Sequence, residues 1–145
     1  FVSLIAGMSG NVGLQCSTIL VRGMSTGEIS AGSRREAIQK ELLIGLSIGV
    51  AFGIMCGFVV YGLNLFGVHP IGPKPVAVGT TVGCGVFGAC ITATCLGAFF
   101  PFFFARLGID PAVASGPLVT AFNDVSSTLM YFMIAWMVHG VFTAM

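Results

Sequence analysis

Asp124 is the residue with the most chemistry to explain. Between Pro111 and Met145 it is the only charged side chain, and it lies near the middle of that apolar run. A carboxylate at the centre of a membrane-length helix costs about 2.5–3.5 kcal/mol or more, depending on the scale. Something must compensate it: a proton, a basic side chain or a bound cation. All six Lys and Arg residues fall at the ends of apolar runs or between them. His69 lies in a connection, and His139 lies about four turns beyond Asp124, too far to pair along one helix. A proton or a cation remains, and an intramembrane acid is a functional candidate by default.

The surroundings are rich in oxygen. At about 100° per residue, Asn11, Gln15, Thr18 and Arg22 share one narrow face of the first apolar run. Pro117, Thr120, Asp124, Ser127, Thr128 and Tyr131 share a face of the last. The two stripes can hydrogen-bond each other inside a bundle, or they can line a path for ions; hydroxyls can also bond their own helix. Pro117, after Ser115 and Gly116, removes one backbone hydrogen bond and should free carbonyls near residues 113 and 114. Such a break is tolerated at membrane depth where it is buried in protein or lines a watery cavity. Carboxylate, amide, hydroxyl and carbonyl oxygens suit a hard ion such as Mg²⁺ or Ca²⁺ better than copper or zinc. One carboxylate per chain is too little to hold a divalent ion, but two copies about a two-fold axis supply two. Mg²⁺ dehydrates reluctantly, so such a site would hold it largely through its waters.

The elements that must position these residues are membrane helices. Of 145 residues, 56% are hydrophobic and 8% charged, with mean hydropathy +1.01. Soluble domains carry roughly a quarter charged residues. The expected fold is all-α, a polytopic helix bundle forming one transmembrane domain over 1–145. A span needs about 20 mostly apolar residues. Four runs qualify, at 1–21, 42–66, 75–104 and 112–144. The polar connection 22–41 contains Ser33 and Glu36 at capping-box spacing, so a helix is expected to start at Ser33 and to be able to run into the second span. The connection from Gly67 to Lys74 has turn composition, with Pro70, Gly72 and Pro73. Arg22, Arg34, Arg35, Lys40 and Arg106 fall on one side of the membrane and Lys74 on the other. The basic side is expected to be cytoplasmic, which puts loops 22–41 and 105–111 inside and the C-terminus outside a multi-pass cell-membrane protein.

Gly45, Gly49, Gly53 and Gly57 repeat every four residues on the second run, and Gly79 and Gly83 follow on the third. Small residues let membrane helices pack closely, so these two helices read as scaffold. The five cysteines lie in apolar runs and read as reduced and structural, with no zinc-ligand spacing. A net charge of +1 with no basic cluster gives no reason to expect nucleic acid as a partner. Neither a Ser–His pair at helical contact spacing nor HExxH is present, so no enzyme is expected.

Three stretches resemble the MgtE family of magnesium transporters. They are Ser9-Gly10-Asn11-Val12-Gly13-Leu14-Gln15 with Ser17-Thr18 and Val21-Arg22-Gly23, then the run from Leu107 to Pro117, then Asn123-Asp124-Val125 with Tyr131-Phe132. The likeness covers essentially the whole chain. It implies a homodimeric Mg²⁺ channel with five transmembrane helices per subunit, four of which are here. The pore would lie at the dimer axis between the first and fourth helices of this chain. Asp124 takes the place of the family's pore aspartate, which binds hydrated Mg²⁺. Asn11, Gln15, Gly116, Pro117, Thr120, Asn123, Ser127 and Thr128 then line the ion pathway. Some members carry Asn at the position of Gly116, where only backbone is available here. The resemblance also implies a further helix and cytosolic N and CBS regulatory domains outside these 145 residues. The rival readings are a proton- or sodium-coupled divalent-cation transporter, with Asp124 as the protonatable group, and a non-transporting membrane scaffold. No clear internal repeat supports the first rival.

Overall fold

A computed structural model describes residues 1–30, 32–67 and 74–144, without the side chains of 114–115 and 142–144. It contains four helices: α1 (Val2–Ser25), α2 (Arg34–Leu65), α3 (Pro75–Arg106) and α4 (Pro111–Ala144). All four are long and apolar enough to cross a membrane, and no strand occurs among the described residues. His69, Pro70, Gly72 and Pro73 lie outside the described residues.

Helix ends follow local chemistry. Gly27, Gly67 and Gly108 lie just past α1, α2 and α3 with φ of 78°, 70° and 72°. That left-handed backbone suits glycine and stops a helix. Pro75 and Pro111 open α3 and α4, where a missing N–H costs nothing. Asp110 Oδ1 accepts the Ala112 N–H at 2.9 Å and caps α4. The stretch from Leu107 to Pro111 is therefore a stop, a cap and a start.

The start of α2 meets expectation, and the end of α1 does not. The polar connection is shorter than 22–41, because α1 runs to Ser25 and α2 starts at Arg34. Ser33 is the N-cap residue of α2, but its hydroxyl makes no capping bond. It accepts the Ser30 N–H at 2.9 Å instead, so a local turn wins over the capping box. Glu41, placed at the end of the connection from sequence, is inside α2 and only 6% exposed.

α3 is the hub. It packs against the other three helices, α1 also packs against α4, and α1 touches α2 lightly. Valines and small residues of α3 (Val82, Val86, Ala89, Cys90) meet Ile5 and Val12 of α1 and Cys56 and Val60 of α2. The glycine stripes form the α2–α3 seam. A Cβ on Gly53 would lie 2.8 Å from Gly83 O, and one on Gly83 would lie 2.8 Å from Gly53 O. Gly57 and Gly79 oppose each other's carbonyls in the same way, at 3.1 and 2.9 Å. Gly49 meets Cys90 and Phe87, and Gly45 meets the Thr94 side chain. These backbones touch because no side chain separates them. Cys16, Cys56 and Cys90 are buried, whereas Cys84 and Cys95 face outward.

Candidate functional site

The site is built on the α1–α4 seam. Tyr131 and Ile5 meet over Gly85, Asn123 meets Gly10, and Leu14 packs beside Val119. Residue numbers fall on α4 as they rise on α1, so the two helices are antiparallel. Asn123 is completely buried, and its Nδ2 donates to Ala6 O at 3.1 Å. A Cβ on Gly10 would lie 3.2 Å from that nitrogen. The next residue on each helix is turned about 100° away from the seam. In an antiparallel pair the two turns carry both residues to the same side. Asn11 and Asp124 are those residues, and both are exposed.

The rest of the stripes divides accordingly. On α1, Asn11, Gln15, Thr18 and Arg22 are exposed, while Ser9, Gly13, Cys16 and Leu20 on the opposite face are buried. On α4, Pro117, Thr120 and Asp124 are exposed and Gly116, Thr128 and Tyr131 are partly so. Asn123 and Ser127 are buried. The polar stripes therefore do not fill the core by bonding each other: no hydrogen bond joins them among the described residues. Asn123, grouped with the ion pathway from sequence, faces the α1 backbone instead, and Ser127 is also turned inward. Sequence reading also passed over Ser9, which is wholly buried and donates to Ala6 O at 3.2 Å. Its spacing from Gly13, Cys16 and Leu20 was the available signal.

The hydroxyls give up their protons locally. Thr120 Oγ1 donates to Gly116 O at 3.2 Å, and Thr128 Oγ1 donates to Asp124 O at 2.7 Å. Ser127 Oγ donates to the same carbonyl at 3.4 Å. Each bond spends the hydroxyl's donor and leaves acceptor lone pairs. Pro117 cannot donate, so the Val113 carbonyl loses its helical partner although α4 continues through it. Gly116 has no atom within 4 Å of the place a Cβ would occupy. The exposed face thus offers acceptors: one carboxylate, two amide oxygens, hydroxyl lone pairs and backbone carbonyl. Asp124 forms no ion pair among the described residues, unlike Glu36, which pairs with Lys40 at 2.8 Å. No group of three or more His, Cys, Asp or Glu stands together among the described residues. An apolar groove of about 590 Å³ between α2 and α3, lined by Val50, Ile54, Phe58 and Phe87 among others, has no carboxylate or amide side chain in its lining.

The sequence model of the MgtE family, described as a divalent cation transporter, matches residues 2–134. The chain belongs to the MgtE family. Among curated relatives, the magnesium transporter MgtE of Enterococcus faecalis is 34% identical over 137 residues, covering 94% of this chain. Those of Thermus thermophilus and Bacillus subtilis are 32% and 31% identical over 135 residues, covering 93%. The chain spans 28% of the length of each of these relatives. The MgtE match covers all of α1 and α4 as far as Ile134, so Asn11 and Asp124 both lie within it.

Proposed function

We propose that this chain is the transmembrane domain of a Mg²⁺ channel of the cell membrane, working as a homodimer. One observation carries the reading: Asp124 is exposed on the outer face of a membrane-length helix with no ion-pair partner among the described residues, and Asn11 is exposed on the same side of the α1–α4 seam. Lipid cannot solvate that face. A second copy about a two-fold axis would cover it and enclose a polar path with two carboxylates. The acceptors suit an ion that keeps its water shell, because metal-bound waters are donors. Mg²⁺ holds its waters most firmly among the common hard ions, and the relatives are named magnesium transporters. In this reading Asp124 binds the hydrated ion, and Asn11, Gln15, Thr120 and Thr128 accept hydrogen bonds from its waters along the path. Gly116 and Pro117 leave backbone carbonyl there. The extra length of the relatives has room for cytosolic regulatory domains.

Inward flow follows the membrane potential, which is worth about 4.6 kcal/mol for two charges at 100 mV. A test reconstitutes the full-length protein in liposomes with an imposed potential and no proton or sodium gradient. Mg²⁺ uptake is expected under those conditions. Uptake that appears only with a proton or sodium gradient would favour the coupled transporter. The dimer has its own test. Thr18→Cys, exposed on the same helix face as Asn11, is expected to give disulfide-linked dimers in membranes once Cys84 and Cys95 are replaced by Ser. A chain that stays monomeric under oxidation and sediments as a monomer in detergent removes the two-carboxylate site.

A further inference from the structure

We infer that Asn123 is a positioning residue, a buried clasp that sets the register of α4 against α1 and so holds Asp124 beside Asn11. The inference rests on the reading of Asp124 as the ion site. Asn123 makes the one side-chain hydrogen bond that joins α1 to α4 among the described residues, 117 positions apart in sequence. Its other amide atom, Oδ1, is buried and has no partner. An unpaired buried acceptor is unfavourable, more so where water is scarce. An apolar side chain of similar size would fill the space without that cost. The amide is useful for what the donor half does, which is to mark one carbonyl on α1.

Around the clasp the seam gives little polar register information. Ala6, Gly10 and Val119 present smooth surfaces there, the flanking contacts of Ile5, Leu14 and Tyr131 are apolar and non-directional, and helix faces of this kind can slide by a turn, about 5.4 Å. A slip of one turn separates Asn123 from Ala6 O. It also carries Asp124 past Asn11, because each follows a clasp residue by one position. Gly10 belongs to the device: a Cβ there would press on the amide nitrogen at 3.2 Å. The Ser9 hydroxyl, bound to the same Ala6 carbonyl, fixes that acceptor from the α1 side.

The test uses the full-length protein in liposomes, with Asn123→Leu, Asn11→Ala and the double variant. Asn123→Leu is expected to raise the half-saturating Mg²⁺ concentration about fivefold, the scale of one lost hydrogen bond. Asn11→Ala is expected to have less effect in the Asn123→Leu background than alone, because the two residues no longer face one ion. A second readout needs no flux. With Cys84 and Cys95 replaced by Ser, Asn11→Cys is labelled by a water-soluble maleimide, and Asn123→Leu should change that rate. Unchanged half-saturation with an unchanged labelling rate overturns the clasp, as does strict additivity of the two substitutions. A changed labelling rate in a protein whose flux ignores Asp124→Ala keeps the clasp and removes the ion site, so the two failures are distinct.

Discussion

Asp124→Ala is expected to abolish Mg²⁺ flux and to leave the helix bundle at least as stable as before. The two halves have separate causes. A divalent ion held through one water layer sits about 5 Å from each carboxylate. Even at the dielectric of water, that attraction is about 1.7 kcal/mol per carboxylate. Two copies lose about 3.3 kcal/mol together, a factor of a few hundred in occupancy. Confinement between helices lowers the dielectric and enlarges the loss. Stability behaves differently because Asp124 makes no side-chain hydrogen bond or ion pair among the described residues. Its main-chain carbonyl, which accepts from Thr128 and Ser127, survives the substitution. Removing the charge also removes an insertion cost of about 2.5–3.5 kcal/mol. Initial rates of Mg²⁺ entry into liposomes, measured beside thermal unfolding of the same preparation, decide the matter. Flux at the unsubstituted rate would end the role of Asp124 in the pathway. Lost flux with collapsed stability would make it a structural residue.

Asp124→Asn separates charge from shape. The amide keeps an acceptor oxygen of similar reach but loses the charge. If the carboxylate concentrates the ion, flux falls nearly as far as in the alanine variant. If water-shell geometry matters more, flux at high Mg²⁺ recovers.

The helices were legible because membrane-length apolar runs have few alternatives. Asp124 was legible for the same reason, since a lone charge in such a run stands out. What could not be read was the side to which each polar residue turns. Thr120 and Ser127 lie close together on a helical wheel, yet the first is exposed and the second buried. Wheel position says which residues share a face. The packing of α1 and α3 against α4 decides where that face is interrupted. Asn123 shows the same limit: the family resemblance put it on the ion path, and the approach of Ala6 and Gly10 turns it inward. Glu41 was missed for another reason. Its neighbours Arg34, Arg35 and Lys40 mark a polar stretch ahead of the span, and the helix expected from Ser33 carries them as the exposed first turns of α2, with Lys40 paired to Glu36 and Arg34 5.8 Å above the Phe102 ring. Charged residues at a helix end are compatible with a helix that extends past the bilayer.

Gly97→Ala is expected to be the most damaging single-methyl addition in the chain, and to remove flux by a route opposite to that of Asp124→Ala. Gly97 is buried on α3, and a Cβ there would run into the carbonyl of Gly13 on α1, with Cys16 Cβ at 3.2 Å. The obstacle is backbone, so no rotamer change relieves it. One helix must move. Overpacking costs about 1–3 kcal/mol where side chains can adjust, and a backbone clash falls at the upper end or beyond. The consequence reaches the site because α1 is held from one side by α3 at Gly13 and from another by α4 at Gly10. Displacing α1 from Gly97 lifts it off the hub and strains the Asn123–Ala6 bond as well. Gly116→Ala is the matched control: the same methyl on a pathway helix meets open space, and folding should be unaffected. Purified yield and melting temperature should fall sharply for Gly97→Ala and stay unchanged for Gly116→Ala. A Gly97→Ala protein with normal melting and normal flux would mean that α1 and α3 tolerate a wider separation, and that the position of α1 does not limit the ion path.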